Sequence, residues 1–528
     1  MRFPRRPEVL GLAIIALLTS GCAYITRASV DTAGGDPDNV SFSPSISADG
    51  RYVAFDSGAS DLVPGDGNGF QDAFVRDLAK TTTTRVSVDA AGGDAAGPSL
   101  FPSISADGRY VAFESGANDV VLGDDNPGAD VFVRDLLTEA TTWVSVDAGG
   151  DSSGGGARPS ISGDGRYVAF ESSASLVPGD GNSLGDVFVQ DLQSSTTTRV
   201  SVDTAGGDPN SDSFGPSISA DGRYVAFVSF ASDLVGGDGN ATGDVFVRDL
   251  VTNTTSRVSI DSAGSDPNGV SGSPSINADG RYVAFQSEAS DLVPADGTGG
   301  FEEQDVFVRD LLTDTTTRAS VDTAGGDPNE LSADASISGD GRYVVFSSLA
   351  SDLVPGDGNL VTDVFVRDLV NDSTSRVSVD FLGREANGVS GGSPSISADG
   401  RYVAFVSFAS DLVGGDGNSF PDIFVRAVVT PTVDSVTPAT VARGTTPTLT
   451  LTGTGFFPGA EVSANAWGPG GVTVNSVTVV SETELNASVS VDSDAPTGER
   501  NVSVFNPGTG PGVLATGFGF CFGCLTVT

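Results

Sequence analysis

Histidine is absent from this 528-residue chain. Without imidazole there is no Ser-His-Asp or Cys-His machinery and no histidine-ligated zinc or haem. Cysteine is scarce as well, with three residues: Cys22, Cys521 and Cys524. Basic residues number 27 against 69 acidic ones, giving a net charge of −42. A field of that sign repels nucleic acid and anionic membrane surfaces, and it favours cations or solubility in a salty medium. Beyond the first 22 residues no apolar run is long enough to span a bilayer, and no Gly-x-Ser-x-Gly elbow marks a hydrolase. An acidic, glycine-rich chain invites a reading of disorder, but strict strand alternation and 38% hydrophobic content argue against it.

What is present is a repeat. Asp-Gly-Arg-Tyr-Val starts at Asp49, Asp107, Asp164, Asp221, Asp279, Asp340 and Asp399. Six steps between 49 and 399 average about 58 residues, the period of an array of supersecondary units. Seven of the eight tyrosines belong to it: Tyr52, Tyr110, Tyr167, Tyr224, Tyr282, Tyr343 and Tyr402. In the first copy, Pro44–Ser47 reads as a short strand and Ala48-Asp49-Gly50 as a turn, since glycine supplies positive φ. Arg51–Phe55 and Asp72–Leu78 alternate as second and third strands. Thr81–Thr84 then turns the chain into Arg85–Asp89, the fourth. No stretch of the unit keeps helical periodicity over about eleven residues. Four antiparallel strands per unit, radially repeated, predict a β-propeller.

The strand count predicts closure. The Arg-Val-Ser-Val-Asp type of strand follows each of the first six copies, at Arg85, Trp143, Arg199, Arg257, Arg318 and Arg376. The seventh copy lacks it, while a matching segment, Thr26–Asp31, precedes the first. An all-β, seven-bladed propeller whose N-terminal strand completes the last blade is therefore expected over residues 23–428, with no open edge. These residues resemble the TolB-like, WD-repeat-type propellers, whose repeats carry a Ser-x-Asp-Gly-x-x-x-Ala-Phe core. The resemblance implies strands running from the channel outward in chain order, and a scaffold rather than a chemistry.

After Val429 the composition shifts. Pro431-Thr432-Val433-Asp434-Ser435-Val436-Thr437-Pro438, then Gly453-Thr454-Gly455-Phe456, then Val502-Ser503-Val504-Phe505-Asn506 resemble an IPT/TIG domain. That implies an immunoglobulin-like sandwich over 429–508, followed by a tail, 509–528, carrying Cys521-Phe522-Gly523-Cys524. In an exported chain that pair is expected as a small disulfide. A redox centre is the sharper reading, but it needs a helix N-terminus to lower a thiol pKa. At the other end, Arg2, Arg5 and Arg6, the apolar Leu10–Leu18 and Thr19-Ser20-Gly21-Cys22 read as an export signal over 1–22. Its ending resembles a lipobox, which implies lipidation of Cys22. Thr19 stands where leucine is usual, so plain cleavage is the alternative.

The candidate chemistry lies in the loop between second and third strands. Asp66/Asn68/Asp72 recurs with one spacing as Asp124/Asn126/Asp130, Asp180/Asn182/Asp186, Asp238/Asn240/Asp244, Asp357/Asn359/Asp363 and Asp416/Asn418/Asp422. Alternating oxygens in a glycine-rich turn suit Ca²⁺, although three ligands fall short of its shell of 6–8 oxygens. The bland reading is turn formation and strand capping. The copy at Asp296 departs, with Thr298 in place of asparagine and Phe301-Glu302-Glu303-Gln304 inserted before Asp305. The arginines of Arg-Tyr-Val and Phe-Val-Arg-Asp are expected in salt bridges between blades rather than at a polyanion site. The expectation is thus a monomeric, exported, lipid-anchored binding scaffold at the bacterial cell envelope, with calcium in its loops. It would bind an envelope or surface protein or a polysaccharide, take no nucleic acid, and touch membrane through its lipid alone. No catalysis is expected; a two-carboxylate carbohydrate-active enzyme on the loop face and a structural spacer are the alternatives.

Overall fold

The computed structural model describes residues 25–528 except 127, 148, 150–154, 295–296, 298–303, 381–382, 429–430, 458–459, 465–469, 482 and 507–517. The export signal with Cys22, and the departures at Asp296, Thr298 and 301–303, lie outside the described residues. Every regular element among the described residues is a strand. The chain forms two compact units, one of residues 26–378 with 385–425 and one built on 426–528.

In the larger unit the first sheet runs Ser41–Ile46, Tyr52–Ser57, Asp72–Asp77 and Thr82–Arg85, antiparallel and in that order. Five further four-stranded sheets repeat the order. The next one has three strands of its own, Ser390–Ile396, Tyr402–Ser407 and Asp422–Ala427, and takes its fourth from Ile25–Arg27. Repeated four-stranded antiparallel sheets of this kind are the architecture of a β-propeller.

The second and third strands form because they are buried on both faces, which is why Tyr-Val-Ala-Phe and Val-Phe-Val read as continuous apolar runs. Each pair sets two fully buried phenylalanines opposite one another, as Phe55 with Phe74 at 5.9 Å between ring centroids and Phe405 with Phe424 at 6.0 Å. Such pairs contribute about 0.5–1.5 kcal/mol beyond the area they bury.

Adjacent sheets share an apolar cluster, as Ala54 and Val75 with Val111 and Phe113, and two further contacts recur between them. The backbone N–H of Ile104 donates to Ser45 Oγ of the preceding sheet at 3.2 Å. The same bond recurs round the unit, and Ile46 returns it to Ser395 at 3.2 Å. The turn glycine of each repeat also lies against the tyrosine of the preceding sheet. A Cβ on Gly165 would stand 2.1 Å from Tyr110 Cδ2, and one on Gly50 would stand 2.1 Å from Tyr402 Cδ2. Gly50 and Gly165 both have φ of +73°, so the repeat demands glycine there for conformation and for space.

Two strand boundaries differ from expectation. The outer strand is the threonine-rich Thr82–Arg85, read from sequence as a turn, while Val86 and Ser87 leave the sheet and become fully buried. Ser87 drives this: its Oγ donates to Asp72 Oδ1 at 2.6 Å and accepts the Ala73 N–H at 2.9 Å. The inner strand starts earlier than Pro44, at Ser41, because a bulge between Phe42 and Ser45 carries Ser43 at φ of 51°.

The smaller unit has two four-stranded sheets. One contains Thr432–Thr437, Thr448–Thr454, Glu484–Val491 and Val472–Ser481. The other contains Thr440–Val441, Phe518–Val527, Gly498–Phe505 and Glu461–Ser463. Leu449, Leu451 and Leu485 of the first share one core with Val502, Leu525 and Val527 of the second. Phe518–Val527 is thus an interior strand of this unit and not part of a tail, because it fills the edge left by Gly498–Phe505.

Gly165→Ala should lower the unfolding free energy by about 2–4 kcal/mol through strain at positive φ and overlap with Tyr110. Denaturant unfolding followed by tyrosine and tryptophan fluorescence measures it.

Candidate functional site

The structure brings the loop carboxylates of the Asp-x-Asn-x-x-x-Asp repeat together, and in five copies it places an arginine among them. In the first sheet Arg85 Nη1 lies 3.4 Å from Asp66, 3.8 Å from Asp72 and 2.5 Å from Asp94. Arg199 does the same with Asp180, Asp186 and Asp208 at 3.4, 3.5 and 2.6 Å. Arg257 sits with Asp238, Asp244 and Asp266, and Arg376 with Asp357, Asp363 and Glu385. In the closing sheet Arg27 reaches Asp416, Asp422 and Asp36. The fifth sheet follows suit, with Arg318 on Asp305 and Asp327. The position read as a cation site is filled by the chain's own guanidinium. Its signal was present in the sequence: an acidic residue stands nine places after each of these arginines.

The asparagines turn their amide nitrogens toward the carboxylates. Asn68 Nδ2 donates to Asp72 Oδ2 at 2.9 Å, while its Oδ1 accepts the Phe70 N–H at 2.9 Å and closes the turn. Asn359 repeats this with Asp363 and Val361, Asn240 with Asp244 and Thr242, and Asn418 with Asp422 and Phe420. Asn182 donates to Pro209 O and accepts the Leu184 N–H. The second sheet is the exception. Its outer strand carries Trp143, stacked on Phe132 at 6.3 Å, and the residue nine places on is Ser152. Asn126 there donates to Asp130 at 2.7 Å and to Asp124 at 3.3 Å. Among the described residues no group of three or more acidic or thiol side chains is arranged to hold a metal.

The arginines of Arg-Tyr-Val pair within their own sheet, not between blades as expected. Arg109 Nε and Nη2 clasp Asp135 at 2.8 and 2.7 Å, because the second strand's start lies beside the third strand's end. Each such guanidinium also covers its own tyrosine ring, with Arg109 Cζ 4.7 Å from the centroid of Tyr110. The seventh sheet has Ala427 at the position of that aspartate.

Three carboxylates missed by sequence reasoning line the inner end of the loop face. Asp56, Glu114 and Glu171 occupy the same rung of successive sheets. They accept the bulge N–H of the following sheet, from Phe101 at 3.4 Å, Arg158 at 3.2 Å and Gly215 at 2.8 Å. Burial pushes Asp56 up to about 6. Beside Glu171 lies a cavity of about 490 Å³ whose walls include Phe214 and Phe230. These bulges sit at positive φ on Phe101 and Arg158, for which no glycine gave warning.

Cys521 and Cys524 are free thiols in the structure, not the expected disulfide. Both lie in the strand Phe518–Val527, where Cys524 Sγ donates to Cys521 O at 3.2 Å. Burial raises the Cys524 thiol well above its ordinary value, the reverse of a redox nucleophile.

Residues 430–508 match the family model for domain III of the alpha subunit of quinohemoprotein amine dehydrogenase. No curated protein matches the chain. Among solved structures, an oligogalacturonate lyase in complex with manganese is 14% identical, covering 77% of this chain and 96% of its own at a TM-score of 0.45. A putative TolB from Agrobacterium tumefaciens is 16% identical over 53% of this chain and 80% of its own, with a TM-score of 0.34. A Pyrococcus horikoshii acylaminoacyl peptidase is 12% identical over 78% and 57%, at 0.44. These likenesses are weak, and no residue role transfers from them.

Two opposed sets of aspartates set the pH response. Burial pushes Asp66, Asp186, Asp244, Asp357 and Asp422 up to about 6. An acid raised on folding binds its proton more tightly in the folded state, so stability grows as pH falls through 6. Asp135, Asp191, Asp249 and Asp310 are held far below the ordinary range by their arginines, so their contribution is lost below about pH 4. Thermal melting across pH should therefore peak between about 4 and 6 and decline on either side.

Proposed function

We propose that this chain is an exported binding scaffold: a closed seven-bladed propeller, followed by an immunoglobulin-like module, held at the bacterial cell envelope by a lipid on Cys22. The observation that carries the reading is a division of labour among side chains. The arginines of the loop clusters and of Arg-Tyr-Val are taken up in contacts with carboxylates, while the loop face keeps exposed aromatics. Phe70, Phe101, Phe230, Phe408 and Phe420 are each 38–52% exposed. Antiparallel strand order puts the second-to-third loops and the entry to each inner strand at the same end of the sheets. Apolar groups on loops held by a rigid scaffold are where recognition of a partner resides. The two-sheet core of the smaller unit supports the immunoglobulin-like reading of 429–508, extended by the strand ending at Val527.

Pull-down from envelope extracts is the test. The full chain should retain a surface protein or polysaccharide that the double variant Phe230→Ser, Phe408→Ser loses, and Cys22→Ser should move the protein to the soluble fraction. Equal capture by the double variant would count against the loop face.

We confine the calcium expectation to the second sheet, where Trp143 replaces arginine beside Asp124, Asn126 and Asp130. Burial and the neighbouring Asp130 push Asp124 up to about 6, a repulsion a divalent ion would relieve. Calorimetry should find one Ca²⁺ site, removed by Trp143→Arg; heat unchanged in that variant would place the ion elsewhere.

A further inference from the structure

A second cavity, of about 450 Å³, opens at the loop-face end of the sixth, seventh and first sheets. It exists because the seventh sheet's inner strand, Ser390–Ile396, has seven residues against six in the first sheet. Gly391 pairs with Val406 at the rung where the first sheet pairs Phe42 with Asp56. A side chain is thus missing where the first, second and fourth sheets carry Phe42, Leu100 and Phe214. A Cβ on Gly391 would lie 3.1 Å from Ser347 Oγ and 3.1 Å from Thr362 Cγ2, so its absence opens space directly before them.

The walls are Phe42, Leu331, Val389, Val406 and Phe408, and Phe408 at the mouth is 52% exposed. Two polar groups stand out against them. Ser347 is 4% exposed, yet its Oγ has no hydrogen-bond partner. A buried hydroxyl left so is a standing cost unless something in the cavity meets it. Asp334 accepts the Ser393 N–H, and burial raises its carboxyl above the ordinary value. No residue lining the cavity is basic. The cavity beside Glu171 differs here, since Arg158 lies 3.7 Å from that carboxylate.

We propose that this cavity binds an organic ammonium ion with an apolar body. The ammonium group donates to the Asp334 carboxylate and to Ser347 Oγ, and the body packs on Phe42 and Phe408. Volume and lining are those of a small-molecule site. The phenylalanines give the apolar body its contact area, the carboxylate makes its bond to nitrogen charge-assisted, and a chain of net charge −42 concentrates cations at its surface. The inference deepens the scaffold reading and rests on the loop face being its recognition surface.

Calorimetry on the full chain with 2-phenylethylammonium chloride tests it, with 2-phenylethanol and phenylacetate as matched neutral and anionic probes. The ammonium ion should bind in the submillimolar range, the alcohol at least about tenfold more weakly, and the acid not at all. Asp334→Asn should cost about tenfold or more, and asparagine tolerates the φ of 55° found there. Ser347→Ala should weaken binding severalfold. Melting temperatures near the parent's establish that both variants fold. No binding at millimolar ammonium, equal binding of the alcohol, or unchanged affinity in Asp334→Asn overturns the proposal. Envelope capture that persists while the ammonium ion fails to bind leaves the scaffold standing and removes this site.

Discussion

Tyrosine against glycine, from one sheet to the next, is the contact that the larger unit depends on. Each tyrosine lies over the turn of the following repeat, in space that any Cβ would occupy, and Tyr402 over Gly50 joins the last copy to the first. The contact fixes spacing as well as adhesion. A larger residue at the turn would push the sheets apart, and a smaller ring would leave a void at a point where cores are otherwise close-packed. The Ile N–H to Ser Oγ bond acts beside it and pins the inner strands in register. Because both contacts use residues of the repeat itself, every sheet is placed by the same rule.

Arginine inside an acidic chain performs a second structural task. Twenty-seven basic residues serve 69 acidic ones, and many of the arginines are spent on shared contacts: one guanidinium often meets three carboxylates. Arg85, Arg199 and Arg257 are nearly buried where they do so. Burial raises Asp66, Asp186 and Asp244 while the guanidinium beside each opposes it, and burial is the larger effect. The second sheet shows the motif's other solution. There Trp143 replaces charge with aromatic stacking on Phe132, and the acidic residue nine places on is lost with the arginine.

Much of the larger unit was legible because its determinants are local. Asp-Gly turns, Tyr-Val-Ala-Phe runs and the misplaced seventh copy of the outer strand together foretell four-stranded sheets and the pairing of the chain's start with residues 422–427. The loop clusters were legible only by half. Carboxylates gathered around Ca²⁺ and carboxylates gathered around a guanidinium need nearly the same spacing, and the deciding arginine lies on another strand. The inner bulges were hidden because Ser43, Phe101 and Arg158 take positive φ without being glycine. The last strand was hidden by its own composition, since glycine and phenylalanine around Cys521 obscure the alternation that Leu525-Thr526-Val527 resumes.

The pairing of Ile25–Arg27 with Asp422–Ala427 also imposes an order in time. A chain emerging from a ribosome or a translocon delivers one partner of this pair about 400 residues before the other. Until the second arrives, the first has no edge to join, and the sheets already made present unpaired rims to their surroundings. Bringing ends so far apart together costs on the order of 5 kcal/mol in chain entropy. Completion of the unit is therefore a late, single event, and a chain interrupted before residue 427 is left as an open arc with a sticky edge rather than a smaller version of the whole.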